Sequence, residues 1–176
     1  TQDNQDLSWV TDELRPVMVA RLVDEWSRSD GDQRREVECK LVSLGHPETL
    51  KRLADEMRRG NQWNALEWSA TEDSLLYLME IVASGSKSEP GFGDGDVYVS
   101  SARCRAAVLV VEIIRSRNAF PDETRRWASA LEVGFESPGI EDRIRSLVAW
   151  WGNNRGAISE KRISNAAWLP QMKEKP

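Results

Sequence analysis

The 176-residue chain is predicted to have an all-α fold, and three features of the sequence indicate it. Apolar residues recur at helical i, i+3 and i+4 spacing almost throughout, whereas strand-type alternation appears only briefly around Val97 and Val99. Glycine and proline interrupt this pattern where helices would end. Residues 105–131 also return 38 positions later as residues 143–169, with identity at seven of 27 aligned positions. An internal repeat of this kind is typical of stacked helical hairpins.

The composition is that of an ordinary globular chain. Hydrophobic residues make up 40% and charged residues 30%, and the net charge is −5 at pH 7. No apolar run approaches the roughly 18 residues that a membrane span requires, so no membrane contact is expected. One domain over residues 1–176 is expected, with a frayed tail over about residues 170–176. The cytoplasm is the favoured compartment, and because the chain starts at Thr1 without methionine, secretion or a periplasmic location stays open.

The first three helices follow from apolar stripes and their breaks. The first is predicted over about residues 8–27, and Pro16 marks either a bend or a true start. Helices over about residues 32–44 and 47–59 follow, separated by a turn at Gly45.

The middle of the chain is less regular. The region from Asn61 to Ala70 is predicted to be irregular, and a helix runs from Thr71 until Gly85 stops it. Residues 84–96, SGSKSEPGFGDGD, hold four of the eleven glycines, which predicts one long glycine-rich loop near residues 85–99. Loops of this length are usually functional or disordered, and the aromatic residues in this one favour a function.

Four helices are predicted in the C-terminal part. Residues 100–116 form the most hydrophobic one, which should lie centrally with neighbours all round. Pro121 opens the next helix. Another begins at Ser137 and ends at Gly152-Asn153-Asn154, and the last begins after Ser159 and finishes at Trp168 or Leu169.

One segment resembles a known repeat family. Residues 96–107, DVYVSSARCRAA, followed by Leu109, Val110 and Ile113, resemble the second-helix pattern of HEAT-type repeats, in which an aspartate and a valine precede an arginine and an alanine-rich apolar face. The resemblance covers about residues 96–169. It implies a short right-handed α-solenoid of about seven to eight helices, stacked as antiparallel pairs with a concave face that holds a partner.

The sequence shows no established catalytic motif. HExxH, GxxxxGK[ST] and GxSxG are all missing from it. The only histidine, His46, stands at a helix boundary and is expected to be a turn or capping residue. Cys39 and Cys104 lie in predicted helices without CxxC spacing, which favours reduced thiols. We therefore expect a non-enzymatic protein with neither a cofactor nor a metal site.

Charge is distributed unevenly along the chain. Residues 61–100 carry seven acidic side chains and one basic side chain, whereas residues 101–176 carry 13 basic and nine acidic ones. Acidic side chains speed and orient the approach of a basic protein, and aromatic side chains supply buried contact energy. The candidate partner-binding residues are Trp63, Glu67, Trp68, Glu89, Phe92, Asp94, Asp96 and Tyr98. A bacterial immunity protein that binds a basic toxin or effector fits this pattern, and solvated acidic faces over core tryptophans are the alternative.

The basic C-terminal block raises a different hypothesis. Its arginines would line a phosphate-binding groove; they are Arg103, Arg105, Arg115, Arg117, Arg125, Arg126, Arg143, Arg145, Arg155 and Arg162. HEAT-like DNA glycosylases act through an acidic residue and tryptophans on the concave face, so nucleic-acid binding with or without such activity is the alternative function. The acidity of the whole chain and pairing with neighbouring carboxylates argue against it.

The eight tryptophans divide into two sets. Those on apolar stripes are predicted to be core residues, namely Trp9, Trp26, Trp151 and Trp168. Those that fit the stripes less well are candidates for contact residues, namely Trp63, Trp68, Trp127 and Trp150.

Overall fold

The computed structural model describes residues 7, 9–60, 64–84, 91–92, 99–131 and 139–160. Over these ranges the chain forms eight α-helices, and the predicted all-α fold is confirmed. The helices are α1 (Arg15–Arg28), α2 (Gly31–Ser43), α3 (Pro47–Arg58), α4 (Leu66–Ser69), α5 (Leu75–Ala83), α6 (Ser101–Ser116), α7 (Asp122–Leu131) and α8 (Ile140–Ser159). The predicted last helix and the frayed tail lie outside the described residues.

Helix α1 begins at Arg15, later than predicted, and Pro16 therefore marks its true start. The backbone N–H groups of Leu14 and Arg15 both donate to the Thr11 carbonyl, at 3.1 and 3.0 Å. Proline suits this first turn because its missing N–H would have no partner inside the helix there.

The predicted irregular region up to Ala70 contains the single helical turn α4. A 3-10 turn over Glu72–Ser74 then leads into α5, and the Thr71 and Ser74 side chains cap this turn reciprocally. The helix predicted to begin at Thr71 is thus a capped 3-10 turn followed by α5.

Two very short strands lie within the predicted glycine-rich loop. Strand β1 (Gly91–Phe92) pairs antiparallel with β2 (Val99–Ser100), so that Phe92 lies opposite Val99. The remaining loop residues, 85–90 and 93–98, lie outside the described part of the chain. This two-residue ladder leaves the fold class unchanged.

The prediction that α8 ends at Gly152-Asn153-Asn154 is wrong, because the helix continues to Ser159. Trp150, Trp151, Asn154 and Ile158 are buried along one continuous face of the helix. The internal repeat therefore differs in structure at the predicted turn. The first copy breaks between α6 and α7, whereas the second copy stays helical at the equivalent position.

The buried apolar residues form two clusters. The main core joins side chains of α2 to α8, with α5 packed on α3, α6 and α8, and α6 packed on α5 and α7. As predicted, residues 106–111 lie centrally, since Ala106, Ala107, Val110 and Val111 are all buried. A smaller cluster of Val10, Leu22, Val37, Leu41 and Leu44 lies between α1 and α2. Helix α1 is therefore attached to the protein through α2 and through polar contacts.

Over the described ranges, no helix combines the length and the apolar character that crossing a membrane demands. The helices pack mainly on their neighbours in the chain, as they would in a helical stack. Their arrangement as a right-handed HEAT-like solenoid stays a prediction.

Candidate functional site

Only two of the eight predicted partner-binding side chains, Glu67 and Trp68, fall within the described part of the chain. Phe92 is described for its backbone alone, in β1. The others lie outside the described residues, namely Trp63, Glu89, Asp94, Asp96 and Tyr98. The geometry of the candidate site is therefore that of α4 and its surroundings.

A buried asparagine holds the short helix α4 in place. The Asn64 side chain is fully buried, and its Nδ2 donates to the Leu53 carbonyl at 2.6 Å. Its Oδ1 accepts from the Leu66 backbone N–H at 3.0 Å. Leu66 and Ser69 point into the core. These contacts fix four residues that would not form a stable helix by themselves.

Trp68 projects from this fixed turn into solvent. Its exposed fraction is 55%, whereas Leu66 and Ser69 in the same turn are buried. An indole held outward on a rigid base loses little conformational freedom on contact with a partner, which is the property of an interface anchor. Trp68 is thus the one predicted contact residue whose exposed position is established.

Glu67 has a partner inside the protein. Arg105 of α6 donates from Nε to Glu67 Oε1 at 2.8 Å, and its terminal nitrogen donates to the same oxygen. Arg117, directly after α6, donates to the Ala70 carbonyl at the end of α4, at 2.9 Å. Arg105, near the start of α6, and Arg117, directly after its end, therefore both hold α6 against the α4 turn. Glu67 serves in the first instance to bind Arg105.

Two further carboxylates within the acidic stretch of residues 61–100 also face arginines. Asp73 lies 3.8 Å from a terminal nitrogen of Arg15, and Glu80 lies 3.7 Å from one of Arg58. The Glu80 side chain is 65% exposed, so it remains accessible to a partner. The described part of residues 61–100 is accordingly less negative at its surface than the sequence implies.

Four of the described C-terminal arginines connect helices, namely Arg103, Arg105, Arg117 and Arg143. Arg115, Arg125 and Arg145 instead form ion pairs within their own helices. Arg103 donates to the Val82 carbonyl at 2.7 Å and lies 3.3 Å from Glu141, with only 13% of its side chain exposed. Arg143 donates to the Leu131 carbonyl. Pairing with carboxylates of adjacent helices was predicted for many of these arginines, and it is found for Arg103 and Arg105. These contacts lower the number of arginines that would be available to phosphates.

The tryptophans are distributed differently from the prediction at two positions. Trp9, predicted to be a core residue, is 59% exposed. Trp150, predicted to be a contact residue, is buried and stacks on the half-buried Trp127 with ring centroids 5.7 Å apart. Trp151 is buried as predicted, and Trp26 is half-buried. Trp63 and Trp168 lie outside the described residues.

The two cysteines and the histidine all lie within the described helices or at their ends. Cys39 and Cys104 are free thiols, and burial raises the pKa of Cys104 to about 11 and also raises that of Cys39. Both are protonated at neutral pH and are poor nucleophiles. His46 stands at the helix boundary predicted for it, in the N-cap position of α3, but its side chain makes no capping hydrogen bond to the backbone. Its ring nitrogens contact Thr49 Oγ1 at 2.9 Å and Glu48 at 2.8 Å. No group of three or more potential metal ligands is found among the described side chains.

No protein-family model matches this chain, and neither a curated protein nor a solved structure shows significant similarity to it. The resemblance to HEAT-type repeats therefore stays a prediction.

Proposed function

We propose that this protein is a non-enzymatic interaction module that binds another protein through the acidic, aromatic segment from Trp63 to Tyr98. The observation that carries the proposal is the exposed Trp68 indole on the rigid α4 turn. The protonated cysteines and the engaged His46 support a binding role rather than catalysis. The HEAT-like solenoid implied by the resemblance would suit such a role, because stacked helical pairs present an extended surface.

A basic protein is the partner that the charge distribution favours. Seven acidic side chains and one cation lie within residues 61–100. Glu67 is partly compensated by Arg105, but Glu80 is largely exposed, and Glu89, Asp94 and Asp96 follow in the sequence. A negative surface of this kind accelerates and orients encounter with a positive one. A bacterial cytoplasmic immunity protein that inhibits a basic toxin is the narrower form of the proposal.

Replacing Trp68 with alanine is expected to weaken partner binding by about thirtyfold or more, since truncation of an aromatic anchor typically costs at least about 2 kcal/mol. The stability of the variant should stay within about 0.5 kcal/mol of the original protein because the indole is largely exposed. The partner is captured from an extract of the source cells and purified, and its affinity is then measured by calorimetry.

Trp9→Ala is the matched control, since it removes an equally exposed indole from a different part of the protein. A partner with an isoelectric point above 8, weakened by Trp68→Ala and unaffected by Trp9→Ala, would support the proposal. Equal affinities for Trp68→Ala and the original protein would remove α4 from the interface. The narrower proposal of an immunity protein would be supported if the protein neutralises a basic toxin encoded by an adjacent gene.

Nucleic-acid binding is the competing function, and we expect it to be weak. Arg103, Arg105, Arg117 and Arg143 donate to acceptors on other elements of the chain, so fewer arginines are left to displace counterions from a duplex. Titration with duplex DNA at about 50 mM salt should show no specific complex. Tight binding that falls steeply with rising salt would favour the nucleic-acid function instead.

A further inference from the structure

A groove of about 410 Å³ lies between the N-terminal segment, α1 and α2. Leu7, Met18 and Leu22 give it an apolar lining, and Trp9 adds an indole that is 59% exposed. Its size is within the range of sites that hold peptide side chains or small ligands. It lies in the smaller core cluster, apart from the main core to which α4 belongs.

The apolar surface continues beyond the groove along α1. Leu22 is the only buried residue of this helix, and it still lines the groove. Leu14, which precedes Met18 by one turn, is 46% exposed, and Val17 is 68% exposed. A contiguous exposed apolar surface is a mark of binding sites, unlike apolar side chains that are scattered singly. Leu14, Met18 and Leu22 form an i, i+4, i+8 row, which is the spacing that a packed helix presents.

The charges along the groove specify its occupant. Arg21 of α1 and Lys40 of α2 line it together with one carboxylate, Glu25. Within the described part of the chain neither cation forms an ion pair, whereas many other arginines do. Two cations next to an apolar surface are complementary to carboxylates that flank apolar side chains.

We propose that this groove docks an amphipathic acidic helix of a partner protein. The leucine-type side chains of that helix would lie along Leu14, Met18 and Leu22, and its carboxylates would face Arg21 and Lys40. The groove selects negative charge, so this surface differs from the acidic one around Trp68. The two proposals are independent of each other.

The test measures binding of a labelled peptide by fluorescence anisotropy. The peptide has about 18 residues, enough for five helical turns, with leucines at i, i+3, i+4 and i+7 spacing, glutamates beside them, and alanine and glutamine elsewhere. A matched peptide carries lysine in place of each glutamate. The acidic peptide should bind at least about tenfold more tightly than the basic one, and Arg21→Glu/Lys40→Glu should abolish that preference.

The control variant is Lys51→Glu/Arg155→Glu, which makes the same change in net charge at two exposed sites elsewhere. It should retain the preference, and so should Trp68→Ala, which affects only the other surface. Equal affinity for both peptides, binding of neither, or the same effect from the control variant would overturn the proposal. A dimer in sedimentation equilibrium that Met18→Glu dissociates would assign the groove to a second copy of the chain and would also overturn it.

Discussion

Replacing Glu38 with alanine is expected to lower the free energy of unfolding by roughly 3 kcal/mol. The Glu38 carboxylate is buried in α2, where one oxygen accepts from Trp26 Nε1 at 2.9 Å and from Arg52 at 2.7 Å. Its removal leaves the indole N–H and the guanidinium without this acceptor. This loss of stability is smaller than the loss of a fully buried ion pair would be, because the Arg52 side chain is 34% exposed and also binds Glu56.

This carboxylate connects three helices, which is the reason for the large effect. Trp26 belongs to α1, Glu38 to α2 and Arg52 to α3. The guanidinium carbons of Arg34 and Arg52 lie 4.7 and 5.2 Å from the Trp26 ring, so cation–π contacts depend on the same arrangement. Loss of Glu38 should therefore loosen α1, whose own apolar contacts are few.

Urea unfolding followed by circular dichroism measures the effect, together with a decrease of about 6 to 12 °C in Tm. Glu38→Gln keeps a carbonyl acceptor for Trp26 and should cost about 1 kcal/mol. Glu36→Ala removes an exposed carboxylate from the same helix and should change stability by less than about 0.5 kcal/mol. Equal destabilisation by Glu36→Ala and Glu38→Ala would show that the hydrogen bonds from Trp26 and Arg52 to Glu38 add nothing to stability.

Replacing Gly45 with alanine is expected to destabilise the protein by about 3 kcal/mol. Gly45 has φ of +69°, which costs about 1 to 2 kcal/mol for a residue with a Cβ. A Cβ at this position would also lie 2.8 Å from Cγ and 2.9 Å from Cβ of Asp73. Asp73 cannot move away freely, because its carboxylate faces Arg15, which in turn donates to the Leu44 carbonyl at 3.0 Å.

Two controls separate the strain from the steric conflict. Gly60→Ala has a similar backbone strain, with φ of +82° and nothing within 4 Å of the added Cβ, so it should cost only about 1 to 2 kcal/mol. Gly45→Ala should be less harmful in an Asp73→Ala background, where two of the three nearest atoms are removed. Equal destabilisation by Gly45→Ala and Gly60→Ala would show that the contact with Asp73 has no effect.

The helix boundaries show where local rules were sufficient. Pro47 and Pro121 stand at or directly before the first residues of α3 and α7, as expected from a ring that fixes φ and a nitrogen that needs no acceptor. Gly45 ends the preceding helix with a positive φ. These signals act within a few residues of themselves, so the sequence alone was enough to place them.

The end of α8 shows where local rules failed. Gly152 costs about 1 kcal/mol in a helix interior, which favours a break there. Burial of Trp150, Trp151 and Ile158 outweighs that cost, and Asn154 Nδ2 donates to the Trp150 carbonyl at 2.7 Å within the helix. The outcome depends on which elements pack against α8, and that information lies far away in the sequence.

The sequence by itself determined the all-α class, the starts of α2, α3, α6 and α7, and the central position of α6, because periodicity and turn residues act locally. Only the tertiary structure decided which aromatic and charged side chains face solvent. Trp9 and Trp150 exchange their predicted roles, and Glu67 is taken up by Arg105, 38 residues away. A side chain is buried or paired according to what lies across from it, and helical periodicity specifies a face without specifying the neighbour that covers it.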